Sequence, residues 1–352
     1  KDKYGEERRT EIIEDFTTLS IEDMIAEEEM VLTITHNGYI KRTSLSTYRS
    51  QRRGGRGVQG ASSREEDFVE HLFVANTHSY ILFFTDRGKC YWVKVYDIPE
   101  GGRAAKGRAI VNLIGCDPEE KVSAFISVKE FNEDHFVVMA TEKGMVKKTK
   151  LSAYSNPRKK GIYAVEIREG DRLIEARVST GDNDILLGTR NGKSIRFSEE
   201  QIRASGRKTM GVKGITLSSE DDKLVGMLLI KRDGTVLVAT EKGFGKRTEI
   251  SQYRAQKRGG KGVLTMKTTD KVGKMVTIKE VVEKDDLMII TNQGVLIRLP
   301  VSQIRSIGRA TQGVKLIKLG EGTLVSSITR IMTEEEKKED GEDANSEQPA
   351  EG

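Results

Sequence analysis

Cysteine is nearly absent from this chain: Cys90 and Cys116 are the two in 352 residues. So few exclude a disulfide scaffold. Histidine is almost as sparse, and His36, His71, His78 and His135 stand at no spacing that would build a metal site with each other or with the cysteines. No carboxylate pair stands apart from the general surface charge as an acid–base couple would. Catalytic residues, metal ligands and cofactors are therefore not expected. No stretch is long and apolar enough for a membrane span or a signal peptide, which points to a cytoplasmic protein without membrane contact. Aromatic residues make up 6% of the chain, too few for the charge-depleted aromatic patch of a protein-docking propeller.

What the chain has instead is glycine and positive charge in register. An apolar run ends in Thr, and a Gly follows three positions later: Thr35 and Gly38, Thr85 and Gly88, Thr141 and Gly144, Thr189 and Gly192, Thr240 and Gly243, Thr291 and Gly294. The glycines are 50, 56, 48, 51 and 51 residues apart. A period near fifty without helical periodicity suits about four strands plus turns, so an all-β, propeller-like array of six blades is expected. The apolar runs, such as Tyr80 to Phe84 and Phe136 to Ala140, fit strands buried on both faces between stacked blades. Turns such as Asp86-Arg87-Gly88 and Arg190-Asn191-Gly192 suit hairpins with positive φ at glycine.

Thirteen residues past each Thr stands Tyr48, Ile98, Tyr154, Ile202, Tyr253 or Ile304, and a basic loop follows that ends in Gly57, Gly107, Gly161, Gly211, Gly262 or Gly313. The first loop is Gln51-Arg52-Arg53-Gly54-Gly55-Arg56-Gly57, and the fifth returns it nearly intact as Gln256-Lys257-Arg258-Gly259-Gly260-Lys261-Gly262. The others carry Arg103 and Lys106; Arg158, Lys159 and Lys160; Arg203, Arg207 and Lys208; Arg305 and Arg309. Glycine lets backbone approach a ligand closely, while Arg and Lys supply the charge and donors that phosphates accept. A second cation recurs four residues after the turn glycine, as Arg42, Lys148, Arg196, Arg247 and Arg298, with Trp92 breaking the series. Random solubilising charge has no reason to keep such register, and both series are expected to bind a polyanion.

The formal charge of +5 conceals a segregation. Residues 1–29 and 333–352 each carry −7, leaving +19 on the repeats between them. That excess is of the size seen in nucleic-acid-binding proteins. Three parts are expected: a charged connector over residues 1–29, the repeats over 30–332, and a disordered acidic tail over 333–352 able to compete with phosphates for the basic body. Two tempting motifs fail. Gly188 to Ser194 places three residues between its glycines where a phosphate-binding loop needs four, and Gly192 is already the hairpin glycine. Tyr48-Arg49 and Tyr253-Arg254 suggest an activated tyrosine, but Ile holds the same place in three other repeats.

The box Gln51 to Gly57, with the stretch Met30 to Val58 around it, resembles the first blade of the C-terminal domains of bacterial DNA gyrase A subunits, and the similarity runs along essentially the whole chain. Tyr4 to Glu11 resembles the end of the linker that leads from the family's cleavage domain. The resemblance implies a six-bladed β-pinwheel whose basic rim wraps double-stranded DNA without reading sequence, with Arg52, Arg53 and Arg56 gripping it at blade one. It also implies that cleavage, ATP and Mg belong elsewhere in the parent topoisomerase: to the same subunit's N-terminal domain and to the B-type subunit of an A2B2 assembly. Two departures are Arg56 where the family usually has Lys, and the second near-perfect box in repeat five. The alternatives are the corresponding domain of topoisomerase IV, which lacks an intact box, and a protein-docking propeller.

Overall fold

The computed structural model describes residues 22–35, 37–44, 69–102, 105–117, 119–231, 234–293 and 296–331. The first box, Gln51 to Gly57, lies outside the described residues, as do Tyr48, Arg103 and the acidic tail.

Each of the first five repeats is seeded by a hairpin that its Thr closes twice. The carbonyl of Thr85 accepts from Gly88 N at 2.9 Å, and its hydroxyl accepts from Lys89 N at 3.2 Å. Thr35, Thr141 and Thr189 do the same with Gly38 and Tyr39, Gly144 and Met145, and Gly192 and Lys193. The recurrent Thr is thus a turn lock, and the glycine three residues on sits at φ near +80°, as at Gly144 (82°) and Gly192 (82°). The register to the third strand shifts at the same Thr in every sheet, for example between Phe84 and Thr85, where the third strand carries one extra residue, Ser123, a bulge that bends that strand beside the turn.

The hairpin strands pair antiparallel, as in Tyr80–Thr85 with Lys89–Lys94, and a longer strand later in the repeat, here Val122–Val128, flanks the first of them. These longer strands line the inside of the ring. Val325–Ile331 of the last repeat comes back to Val69–Asn76 of the first, so the six sheets close on themselves. The outermost strand is two residues long and comes from the next repeat: Arg108–Ala109 joins Tyr39–Ser44, Ile162–Tyr163 joins Lys89–Lys94, Val212–Lys213 joins Met145–Lys150, Val263–Leu264 joins Lys193–Ser198, and Val314–Lys315 joins Phe244–Glu249. Five sheets therefore have four strands, and the sixth has three among the described residues. The fold is an all-β six-bladed propeller in which each of the first five blades borrows its rim from its successor. The 56-residue interval between Gly88 and Gly144 accommodates a short helix, Ile110–Ile114.

The core lies between blades. Ile81 and Phe83 pack with Leu32 and Ile40 of the first blade, while Leu82 and Phe84 on the same strand pack with Val137 and Met139 of the third. Alternate side chains of one strand point to opposite faces, so a strand with a blade on either side must be apolar throughout. The stretch before the first strand is fastened to the second blade, with Lys94 Nζ 2.6 Å from Glu22 and Thr77 Oγ1 donating to Ala26 O at 2.8 Å.

Candidate nucleic-acid interface

From the second repeat to the sixth, each basic loop begins on its own blade and ends as the outer strand of the blade before, so its closing glycine lies against a neighbour's backbone. A Cβ at Gly262 would stand 2.3 Å from Ser194 O, at Gly211 2.3 Å from Val146 O, and at Gly107 2.4 Å from Ile40 O. All three have positive φ. Gly161, two residues early in the sequence, fills the same place against Tyr91 and Cys90. The glycine that ends each of these loops is therefore required by the close approach of two backbones, and the loops are held at fixed places round the ring.

The second box shows how such a loop sorts its charges. Gln256 N donates to Arg196 O (2.8 Å), Gly259 N to Gly214 O (2.6 Å), and Thr216 Oγ1 to Gly259 O (2.6 Å). Arg258 is a brace: its Nε donates to Gln201 O (2.9 Å) and an Nη to Lys213 O (3.2 Å). Lys257 and Lys261 face solvent. So do Arg158, Lys159 and Lys160 of the third loop, Arg203 and Lys208 of the fourth, Arg254 of the fifth and Arg305 of the sixth. Lys106 of the second is also exposed, its Nζ 4.0 Å from the centre of the Tyr39 ring. Arg207 and Arg309 are half-buried.

The second series of cations is placed differently from the polyanion contacts expected of it. Arg42 Nε donates to Ile98 O at 2.7 Å, and Arg247 Nε to Ile304 O at 2.6 Å. Arg196 bonds Asp184 (2.7 Å) and reaches Tyr253 O (3.3 Å) in the next repeat. Lys148, buried, pairs with Glu199 at 3.0 Å. These donors are committed to latching a blade to its successor. Arg298, in the last repeat, is exposed and pairs with Asp286 on its own hairpin.

Sequence reasoning missed the residue just before the latch. Lys41, Lys147 and Lys246 are buried to 3%, 1% and 0% exposure. Lys41 Nζ donates to Gly102 O (3.0 Å) and Ala105 O (2.9 Å), and Lys147 Nζ to Ala164 O (2.7 Å) and Arg207 O. Lys246 Nζ donates to Gly308 O (2.7 Å) and Arg309 O and lies 3.0 Å from Thr311 Oγ1. Burial, reinforced by the Arg207 and Arg309 guanidiniums, brings Lys147 down to about 7 and Lys246 to about 8; burial alone lowers Lys41. The signal was present in the sequence: a Lys three residues after the turn glycine, in repeats one, three and five. Among the described residues there is no cluster of His, Cys, Asp and Glu that could hold a metal, and no helix long and apolar enough to cross a membrane.

The family described as DNA gyrase C-terminal domain, beta-propeller, matches in six segments, residues 29–76, 79–129, 135–180, 183–231, 234–281 and 285–331, one for each blade. The DNA gyrase A subunit of Staphylococcus aureus (strain COL) is 46% identical over 351 residues, 99% of this chain and 39% of that protein. The chain thus spans about two fifths of the length of that relative. Among solved structures, the C-terminal domain of DNA topoisomerase IV superposes with a TM-score of 0.78 at 26% identity, covering 92% of this chain and 100% of the other. A DNA gyrase A C-terminal domain superposes at 0.69 with 23% identity, over 87% of this chain and 100% of the other, a likeness of fold. With the family's repeat matched in every blade and a gyrase A subunit nearly half identical along the whole chain, the protein belongs to the DNA gyrase C-terminal domain family of β-propellers.

Proposed function

We propose that the rim of this ring binds double-stranded DNA through its phosphates and bends the duplex around itself. The observation that carries this reading is the repetition of a solvent-facing basic loop, clamped by its closing glycine, at successive blades of a closed ring. DNA is stiff over about 150 bp, and turning a few tens of base pairs through half a circle costs on the order of ten kcal/mol. One loop cannot offset that, whereas many phosphate contacts release enough counterions to do so. Among the described residues the loops present no side-chain array on a helix for reading groove edges, so sequence selectivity rests on deformability.

In the longer polypeptide the chain is then the non-catalytic wrapping module of an ATP-dependent type II topoisomerase, working with the same subunit's cleavage domain and with the B-type subunit of an A2B2 assembly. A wrap of fixed hand presents a segment of the same DNA to the cleavage gate, and strand passage then introduces negative supercoils. The first box, Arg52, Arg53 and Arg56, supplies one grip and Lys257 and Lys261 another. The intact first box and the 46% identity to a gyrase polypeptide favour this over a topoisomerase IV role. The test is duplex affinity across a salt series. A steep log–log slope, about −0.9 for each phosphate neutralised, supports the reading, and a slope near zero or tight preference for one short sequence refutes it.

A further inference from the structure

The buried lysines divide the ring with a period of two blades. In repeats one, three and five the second hairpin strand reads Lys41-Arg42-Thr43, Lys147-Lys148-Thr149 and Lys246-Arg247-Thr248; in the others it reads Tyr91-Trp92-Val93, Ile195-Arg196-Phe197 and Ile297-Arg298-Leu299. Every such lysine therefore faces the loop of an even-numbered repeat. Those loops share a Gly-Arg pair at Gly102-Arg103, Gly206-Arg207 and Gly308-Arg309, with Arg four residues before the closing glycine. The threonines add to the hold: Thr43 Oγ1 donates to Gly101 O and Thr248 Oγ1 to Ile307 O, each at 2.8 Å.

Peptide planarity dictates what this does to the loop's outer side. In a trans peptide the N–H points opposite to the C=O, so a carbonyl drawn inward by a buried ammonium turns its own N–H outward. Lys246 draws in the carbonyls of Gly308 and Arg309, whose peptides carry the N–H groups of Arg309 and Ala310. Lys147 draws in the carbonyl of Arg207, whose peptide carries the N–H of Lys208. Among the described residues none of these three N–H groups donates to another backbone group. The successive outward N–H groups of Arg309 and Ala310 make an anion-binding concavity, and Lys246 behind them, protonated below about 8, adds to its positive potential. The Arg309 side chain meanwhile turns back, with an Nη donating to Leu264 O at 3.2 Å and its guanidinium 6.0 Å from the Tyr253 ring centre.

We propose that the rim grips DNA in two ways: loops of repeats three and five through side-chain cations alone, and loops of repeats four and six also through backbone N–H groups on phosphate, with Lys147 and Lys246 as the positioning residues. The proposal rests on the DNA-binding reading above.

Amide hydrogen exchange of the chain, with and without a mixed-sequence duplex, separates the two. We expect DNA to slow exchange at residues 206–211 and 308–313 as well as at 158–161 and 257–262. Protection of the latter pair alone overturns the backbone grip and leaves the DNA-binding reading standing; protection of neither overturns both. In Lys246→Met, whose apolar side chain no longer draws the carbonyls inward, the protection at 308–313 is expected to disappear while that at 158–161 remains, and the salt slope to become shallower by about 0.9 for each phosphate released. Unchanged protection at 308–313 in that variant overturns the role of the lysine. Should Lys246→Met fail to fold, the exchange pattern of the unaltered chain still tests the proposal, because no protection at 206–211 and 308–313 overturns the backbone grip, and Lys147→Met read at 206–211 tests the lysine's role.

Discussion

The indole Nε1 of Trp92 donates to the backbone carbonyl of Tyr154 at 2.9 Å. Arg42 makes the equivalent bond to Ile98 and Arg247 to Ile304, each from a hairpin strand to the residue thirteen past the Thr of the next repeat. In the first five repeats this strand position supplies a donor long enough to reach the neighbouring blade. Where the acceptor is a backbone carbonyl, as for Arg42, Trp92 and Arg247, charge is incidental, and an uncharged tryptophan serves as well.

Trp92→Phe keeps an aromatic ring and removes the donor, leaving the half-enclosed Tyr154 carbonyl without its partner. We expect a loss of about 1–3 kcal/mol in urea unfolding and no change in the salt slope of DNA affinity. A shallower slope would return this position to the DNA-binding surface.

Arg247→Met should behave in the same way, costing about 2 kcal/mol through the Ile304 carbonyl and leaving the DNA salt slope alone. The double change Lys257→Ala and Lys261→Ala should do the reverse. Stability then stays within about 0.5 kcal/mol, and the slope falls by about 0.9 for each phosphate no longer neutralised. Unfolding curves and salt titrations on the two variants check both halves.

Gly262→Ala places a methyl group 2.3 Å from Ser194 O at a residue with φ of 69°. The backbone strain alone is worth about 1–3 kcal/mol, and the clash pushes Val263–Leu264 off the edge of the fourth blade. A lowered unfolding midpoint together with faster amide exchange at 263–264 is the expected result.

Lys147 gives stability a pH dependence of known sign. Its folded value of about 7 lies below the ordinary 10.5, so between these limits the unfolded chain binds more protons and this group's contribution rises with pH; it is lost as pH falls through about 7. Lys246 acts likewise from about 8 upward. Buried Cys90 and Tyr154, both raised, act in the opposite sense at the alkaline end. The difference in unfolding free energy between the unaltered chain and Lys147→Met, followed from pH 6 to 9, isolates the lysine and should move in favour of the unaltered chain as pH rises.

Much of this architecture was legible because the Thr-to-Gly spacing is itself the hydrogen-bonded hairpin, and because a strand sandwiched between blades has no polar face to hide its apolar run. The borrowed outer strands were not legible. Two residues such as Val212–Lys213 carry no periodicity, and their partners Val146 and Met145 lie 66 and 68 residues away in sequence. The basic loops could be located, but the inward turn of Arg258 depends on the position of Gln201 O, which no local pattern reveals. The latch cations looked like rim cations because Arg serves a carbonyl as readily as a phosphate. Lys41, Lys147 and Lys246 were overlooked because lysine usually marks a solvated face, and a buried one is recognised by the carbonyls gathered around it.

The central claim, that the rim bends duplex DNA around itself in one hand, is tested most directly by sealing a nicked circular DNA with ligase while the chain is bound, removing the protein, and resolving the topoisomers. A shift of the distribution in one direction, growing with the amount of chain bound, is the predicted result. A distribution centred where the DNA settles when sealed alone, under conditions in which the chain is bound, would contradict it.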